Sequence, residues 1–326
     1  MLRDEPKKPD IRSLLARAGA GKGRKRSPVP GLIAFGLLAG LLALIFWLTW
    51  PGPDPPPLMV IASDQLALPN QPVTLRAWLR PQAGDGAAAD TEGIDLYFAD
   101  TILGAPAGEK AADRLQAKEA TGPDGGAAVR WKPPAGDQPT QYVVRYPGIK
   151  GRTSGSNDTG RVFTWPAETN LLIVEARHGL MSADDAAFRK ANVFDLAPLA
   201  GASAALRQAL RKGYHVVYLA TAADRPEHYL KLRGWLQQPS RTGELLFPDG
   251  PALGRDDYAE KANPAAVLQS LKQHFTGKLV GVVGRPEDAR VYRAEGLSTF
   301  LIGDDADVPE KVQRLKSWEE LARQLP

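Results

Sequence analysis

Twenty consecutive residues without a charge, Gly31 to Trp50 (GLIAFGLLAGLLALIFWLTW), limit what this chain can be more than any other stretch. As a helix rising about 1.5 Å per residue, that run matches the roughly 30 Å hydrocarbon core of a bilayer. A central Lys or Arg would cost about 2.5–3.5 kcal/mol on insertion, and none is present. A buried helix of a soluble domain is normally shorter and carries a polar stripe. Trp47 and Trp50 suit the aromatic belt at one membrane face. Residues 31–50 therefore read as a transmembrane helix.

The flanks orient it. Arg3, Lys7, Lys8, Arg12, Arg17, Lys22, Arg24, Lys25 and Arg26 precede the span, against Asp4, Glu5 and Asp10. PGPDPPP follows it with one acid and no base. The positive-inside rule makes residues 1–30 a cytoplasmic tail and places the rest outside the cytoplasm, in the periplasm of a Gram-negative cell. The run is long for a cleaved secretory signal, and residues 51–57 offer no small-residue cleavage site, so an uncleaved single-pass anchor is expected. Gly36 and Gly40 form a GxxxG pair through which two spans would pack as a homodimer, although glycine is common in membrane helices without pairing. Residues 51–57 form a stiff Pro-rich linker.

Charge and composition exclude several classes. The chain has 326 residues, 41 basic and 37 acidic, for a net charge of +4. The tail holds nine of the bases and three of the acids, leaving 32 bases against 34 acids beyond residue 30. That balance gives no footprint for nucleic acid. Lys22-Gly-Arg-Lys-Arg26 would suit anionic lipid headgroups as well as serve as a topology signal. With no cysteine there is no disulfide, thiolate zinc site or Cys nucleophile. No pair among His178, His215, His228 and His274 has metal-ligand spacing, and His215 alternates with apolar neighbours as a structural residue does. Asp184-Asp185 and Asp304-Asp305 read as solvated loop acids, with a cation site as the alternative. Ala18-Gly-Ala-Gly-Lys-Gly23 lacks the spacing and preceding strand of a phosphate loop. The wealth of Ala, Gly and Pro points to a bacterial source.

Residues 58–166 alternate between short β-rich runs and turns. PLMVIAS, QPVTLRAWL, GIDLYFAD, AAVRWKP and TQYVVRYPG read as strands, and Thr121-Gly-Pro-Asp-Gly-Gly126 as a turn. Gly104 to Lys118 reads as a long loop. An antiparallel β-sandwich is expected. It resembles the immunoglobulin-like modules that follow bacterial membrane anchors, without a cysteine pair, and a spacer or partner-binding role follows from that resemblance.

Residues 167–326 change grammar. Asn170–Val174, Tyr214–Leu219, Gly243–Phe247, Lys278–Val283 and Ser298–Ile302 read as strands. They alternate with helices over Leu199–Lys212, around Tyr229–Leu236, after the cap Asn263-Pro264, over Glu287–Glu295 and over Pro309–Gln324. The first helix should bury Leu199, Ala202, Leu206 and Leu210 on one face. Alternating strands and helices predict a doubly wound α/β domain, with ligands at the carboxyl ends of a parallel sheet.

Within that half, YHVVYLATAADRPEHYLKLRGWL, GELLFPDGPAL, the helix after Lys261-Ala-Asn-Pro264 and VVGRPEDARVYRAEGL resemble the lipin-type phosphatase domain of the haloacid dehalogenase superfamily over residues ~170–325. The resemblance implies that Thr221 holds a phosphoryl group, Lys261 balances its charge and Asp288 helps hold Mg²⁺. The family's first motif, Asp-x-Asp-x-Thr or Val, supplies a nucleophile and an acid/base. This chain has Glu175-Ala-Arg177-His178-Gly179 instead. Glu is one methylene too long for a tightly held in-line geometry, and Arg177 is permanently cationic. Arg285 directly follows Gly284, where the family has an acidic step.

The departures at Glu175, Arg177 and Arg285, with the apolar span, therefore lead to the expectation of a non-catalytic, membrane-anchored binding or scaffolding module without a cofactor. The alternative is a Mg²⁺-dependent phosphatase on a phosphomonoester or phosphatidate, with Glu175 and Asp288 as metal ligands. Two states of the inactive pocket are expected. In one, Arg177, Thr221 and Lys261 converge on a phosphate-like anion. In the other, Arg177 and Glu175 neutralise each other and lock the loop.

Overall fold

The computed structural model describes Leu41 and residues 57–82, 91–100, 116–134, 136, 138–148, 155–240, 243–256, 258, 263–303 and 307–325. The chain divides into two units, Met1–Asp54 and Pro55–Pro326. Of the first only Leu41 is described, so the span over 31–50, Gly36, Gly40 and the tail lie outside the described residues, as do Lys261, Asp304 and Asp305. Among the described residues no helix is long and apolar enough to cross a membrane.

The second unit begins with β1 (Leu58–Ala62), β2 (Gln65–Ala67), β3 (Val73–Pro81), β4 (Asp95–Asp100), β5 (Gln116–Ala120), β6 (Gly126–Trp131), β7 (Thr140–Tyr146) and β8 (Ser156–Thr164). They form a sheet of order β1-β3-β6 and one of order β2-β8-β7-β4-β5. Every pairing is antiparallel except β2 with β8. The period of two sorts β3 between two cores. Leu75, Ala77 and Leu79 face the other sheet, with Leu96, Phe98 and Val144. Trp78 points the opposite way, into the core of the α/β half, and Ile61 of β1 does the same.

The α/β half runs β9 (Asn170–Glu175), α1 (Ala176–Leu180), α2 (Asp185–Lys190), a 3-10 turn, α3 (Ala202–Arg211), β10 (Tyr214–Leu219), α4 (Pro226–Leu236), β11 (Ala252–Leu253), α5 (Pro264–His274), β12 (Leu279–Val283), α6 (Pro286–Ala294), β13 (Ser298–Ile302), β14 (Gln313–Leu315) and α7 (Trp318–Gln324). The sheet order is β11-β10-β9-β12-β13-β14 and every pairing is parallel. Leu172 and Val174 of β9 pack with residues of α3, α4 and α7 on one face. Leu171 and Ile173 pack with α5 and α6 on the other. Covered on both faces, the strands need no polar side, which explains their continuous apolar runs.

Several expectations change. Gly243–Phe247 is not a strand: Phe247 turns in between Trp235 and Tyr218, and the third strand starts only after Pro251, whose carbonyl accepts from Tyr218 N at 3.0 Å. Pro309–Gln324 splits into β14, which extends the sheet beside β13, and α7. The helix expected from Leu199 starts at Ala202, because Gly201 takes a left-handed φ of 76°. Its buried stripe is Ala202, Ala205, Leu206 and Ala209, and Leu210 is exposed. Gln116–Ala120 is a strand that overlaps the expected loop.

Polar contacts, from buried to exposed, join the two halves. Arg233 of α4 donates to both carboxylate oxygens of Asp158 on β8, at 2.9 and 2.6 Å, and to the carbonyl of Ala62. Arg161 of β8 pairs with Asp64 at 2.8 Å and Asp249 at 2.5 Å. The Tyr229 hydroxyl accepts from Asp64 N and donates to the Ala252 carbonyl.

Candidate functional site

In the parallel sheet the chain leaves β9 toward β10 on one side and leaves β12 toward β13 on the other. Their carboxyl ends therefore open a crevice at the point where the winding reverses. Glu175 ends β9, and Gly284-Arg285 follow β12. The two turns touch: a Cβ on Gly284 would collide with the carbonyl oxygen of His178.

Glu175 is buried, and its carboxylate caps α1. Oε1 accepts from Arg177 N at 2.9 Å, and Oε2 accepts from His178 N at 2.5 Å and Gly179 N at 3.0 Å. These first-turn N–H groups are the donors that would otherwise take water or an anion. Glu175 thus fills its own helix N-terminus.

His178 lies beside it. Its Nδ1 is 3.5 Å from Glu175 Oε2 and 4.0 Å from Asp288 Oδ2 of α6. Its Nε2 is 3.1 Å from Asp185 Oδ1. Asp185 is in turn held by Arg177 at 3.1 Å and Arg285 at 3.4 Å. One turn beyond Asp288, Tyr292 is fully buried. Among the described residues, His178 Nδ1, Asp288 Oδ2 and the Tyr292 hydroxyl have no hydrogen-bond partner.

Charge in this cluster is tightly coupled. Burial, then the Glu175 carboxylate, push Asp288 up to about 6. Burial works against the His178 imidazolium, but the Glu175 and Asp185 carboxylates outweigh it and raise its pKa. Burial resists ionisation of Asp185 as well, and is outweighed by His178, Arg177 and Arg285, so that carboxyl titrates low. Burial, then Glu175 and Asp288, hold the Tyr292 hydroxyl well above its usual range.

The expected residues do not all meet. Glu175 and Asp288 do, together with His178, their ligand atoms lying within 4.8 Å of one another. Arg177 gives Glu175 only its backbone N–H. Its guanidinium turns to the Ala183 carbonyl at 2.8 Å, to Asp185, and over the Phe188 ring at 4.6 Å. The expected Glu175–Arg177 ion pair is therefore replaced by Arg177–Asp185, since α1 starts at Ala176 and carries the side chain away. Asp185, read as a solvated acid, is instead the anchor for His178, Arg177 and Arg285, while Asp184 caps α2 through Ala187 N. Thr221 is buried, and its carbonyl accepts from Arg255 Nε at 2.9 Å. It lines a cavity of about 290 Å³ with Asp64, Arg255, Asp256 and Asn263, whose lining includes neither Glu175 nor Arg177.

No protein-family model and no curated protein matches this chain. Among solved structures, the D,D-heptose 1,7-bisphosphate phosphatase of Burkholderia thailandensis aligns over 47% of this chain and 96% of its own, at 12% identity and a TM-score of 0.35. The 2,6-sialyltransferase of Photobacterium sp. JT-ISH-224 aligns over 74% of this chain and 41% of its own, at 9% identity and a TM-score of 0.19. The chain thus spans less than half of the sialyltransferase, and what it shows by itself is an all-parallel α/β sheet joined to two smaller β-sheets.

Proposed function

We propose that this chain is an extracytoplasmic scaffold on a single membrane anchor, and that its α/β half is a lipin-type, haloacid dehalogenase-like domain that does not turn over phosphate. An immunoglobulin-like sandwich serves as its spacer. One observation carries the non-catalytic reading: the Glu175 carboxylate accepts three N–H groups of its own helix. A nucleophile needs a lone pair directed in line at phosphorus, and a phosphoryl group needs donors free to receive it. Here the carboxylate and the donors satisfy each other. Arg177, at the acid/base position, cannot shuttle a proton and faces Asp185. The sequence motifs, the parallel sheet and the position of Asp288 beside Glu175 support the haloacid dehalogenase-like assignment.

The second reading is a magnesium-dependent phosphatase, and the closeness of Glu175 and Asp288 favours it. Magnesium takes near-octahedral oxygen ligands and keeps several waters. The third donor in this cluster is the imidazole nitrogen of His178, so the donor set does not fit that ion.

Full-length protein in detergent, assayed in Mg²⁺ with p-nitrophenyl phosphate and with phosphatidate, is expected to show no turnover above background, and Glu175→Ala no change. Robust wild-type turnover that disappears in Glu175→Ala would establish the enzyme instead.

A further inference from the structure

We infer that Glu175, His178 and Asp288 form a binding site for one zinc-like divalent transition-metal cation, which clamps the turn after β9 to the first turn of α6. The inference shares Glu175 with the function proposed above but does not depend on it, since such a clamp holds whether or not the chain is an enzyme.

Three observations converge. The first is donor geometry. With metal–ligand bonds of about 2.0–2.2 Å and tetrahedral angles, donors stand roughly 3.3–3.5 Å apart. His178 Nδ1 and Glu175 Oε2 are 3.5 Å apart, and His178 Nδ1 and Asp288 Oδ2 4.0 Å, a gap that a small rotation of the Asp288 carboxylate closes. Oε2 already accepts from His178 N and Gly179 N, so the lone pair that Glu175 keeps free is on Oε1, which accepts from Arg177 N alone.

The second is the orientation of the imidazole. Nε2 faces Asp185 Oδ1 at 3.1 Å, and Asp185 is fixed by Arg177 and Arg285. When Nε2–H donates to Asp185, Nδ1 is left as a lone pair aimed between the other two carboxylates. A carboxylate behind a histidine that fixes its tautomer and ring plane is the usual outer layer of a metal site.

The third is the set of orphans. Among the described residues, His178 Nδ1 and Asp288 Oδ2 are buried without a hydrogen-bond partner, and so is the hydroxyl of the fully buried Tyr292. The Glu175 and Asp288 carboxylates face each other across the imidazole nitrogen, and a cation between them removes their mutual repulsion. It also leaves an oxygen of Asp288 for the Tyr292 hydroxyl, one helical turn away, to donate to. Imidazole with carboxylates suits zinc, and among the first-row ions zinc and its late neighbours bind such a set more tightly than manganese does.

The test uses full-length protein in detergent, stripped with a chelator and then titrated with Zn²⁺, Mg²⁺ or Co²⁺. One equivalent of zinc is expected to bind and to raise the melting temperature, while millimolar Mg²⁺ leaves it unchanged. Co²⁺ should give a visible absorption band. His178→Ala is expected to lose both the zinc shift and the cobalt band. Asp185→Asn should weaken zinc binding about 10–100-fold, and His274→Ala should change nothing. Circular dichroism in chelator checks that His178→Ala is folded, and if it is not, Asp185→Asn read through the cobalt band decides. Absence of zinc binding to the wild type, equal binding to His178→Ala, or a magnesium shift as large as that of zinc would each overturn the inference.

Discussion

Glu175→Ala separates a locked cap from a catalytic group through stability alone. The substitution removes the acceptor for Arg177 N, His178 N and Gly179 N at the start of α1. Losing an ordinary N-cap costs about 0.5–2 kcal/mol. Each buried donor left unpaired costs about 1–3 kcal/mol, and here there are three. Two effects reduce the total: water can enter the space that is vacated, and Asp288 is freed from a neighbouring negative charge. The net loss is about 2–4 kcal/mol, or a fall in melting temperature of about 5–15 °C for a unit of this size. Thermal and urea unfolding of the full chain in chelator, followed by circular dichroism, measures it. Glu175→Gln keeps one accepting oxygen and should fall between the two. A catalytic residue is commonly held at the expense of stability, so its removal often stabilises. A Glu175→Ala protein as stable as the wild type, or more so, would refute the cap.

Three further outcomes are expected. Asp158→Ala strands the buried Arg233 guanidinium and should destabilise the protein by about 3–5 kcal/mol in urea unfolding; a loss below 1 kcal/mol would show that the joint between the halves does not depend on this pair. Asp288 is held at about 6, above the roughly 3.9 of an unfolded Asp, so the folded protein binds this proton more tightly and loses stability as pH rises from about 4 to about 6. In chelator, Asp288→Asn should therefore be more stable than wild type by about 1–2 kcal/mol at pH 7.5 and about equal at pH 4, and equal stability at both would contradict the assigned charge. Protease added to intact spheroplasts should digest residues 51–326 and spare the tail, and full protection of an anchored protein would reverse the topology.

Much of the frame was legible because burial writes itself into the chain. β9, β10, β12 and β13 are buried on both faces, and their apolar runs mark them. Asn263 reads as a cap, and its side chain accepts from Ala266 N at 3.2 Å. Elements with few apolar residues were not legible. Gln116–Ala120 is mostly exposed, and Ser156–Asn157-Asp-Thr-Gly160 is a polar half-strand held by pairing with β7. Gly243–Phe247 misled because Leu245, Leu246 and Phe247 are apolar, whereas a bend places Phe247 in the core.

At the site, the resemblance brought Glu175 and Asp288 together from 113 positions apart. It put His178 in the same pocket but not among the ligands, because no histidine pair has ligand spacing and its partners come from two other elements. It also gave Arg177 the wrong anion, because nothing local says that α1 begins at Ala176 and turns that side chain toward Asp185. Arg233 and Asp158 lie 75 residues apart, and no pattern in the sequence links them.

The most direct test of the non-catalytic site is covalent. A haloacid dehalogenase-like nucleophile would carry the phosphoryl group as an acyl phosphate, so radiolabelled acetyl phosphate in Mg²⁺, quenched in acid within a single turnover, would leave label on the residue that ends β9. The wild type is expected to carry no more label than Glu175→Ala. Near-stoichiometric label that maps to Glu175 and is lost in that variant would contradict a carboxylate held by its own helix.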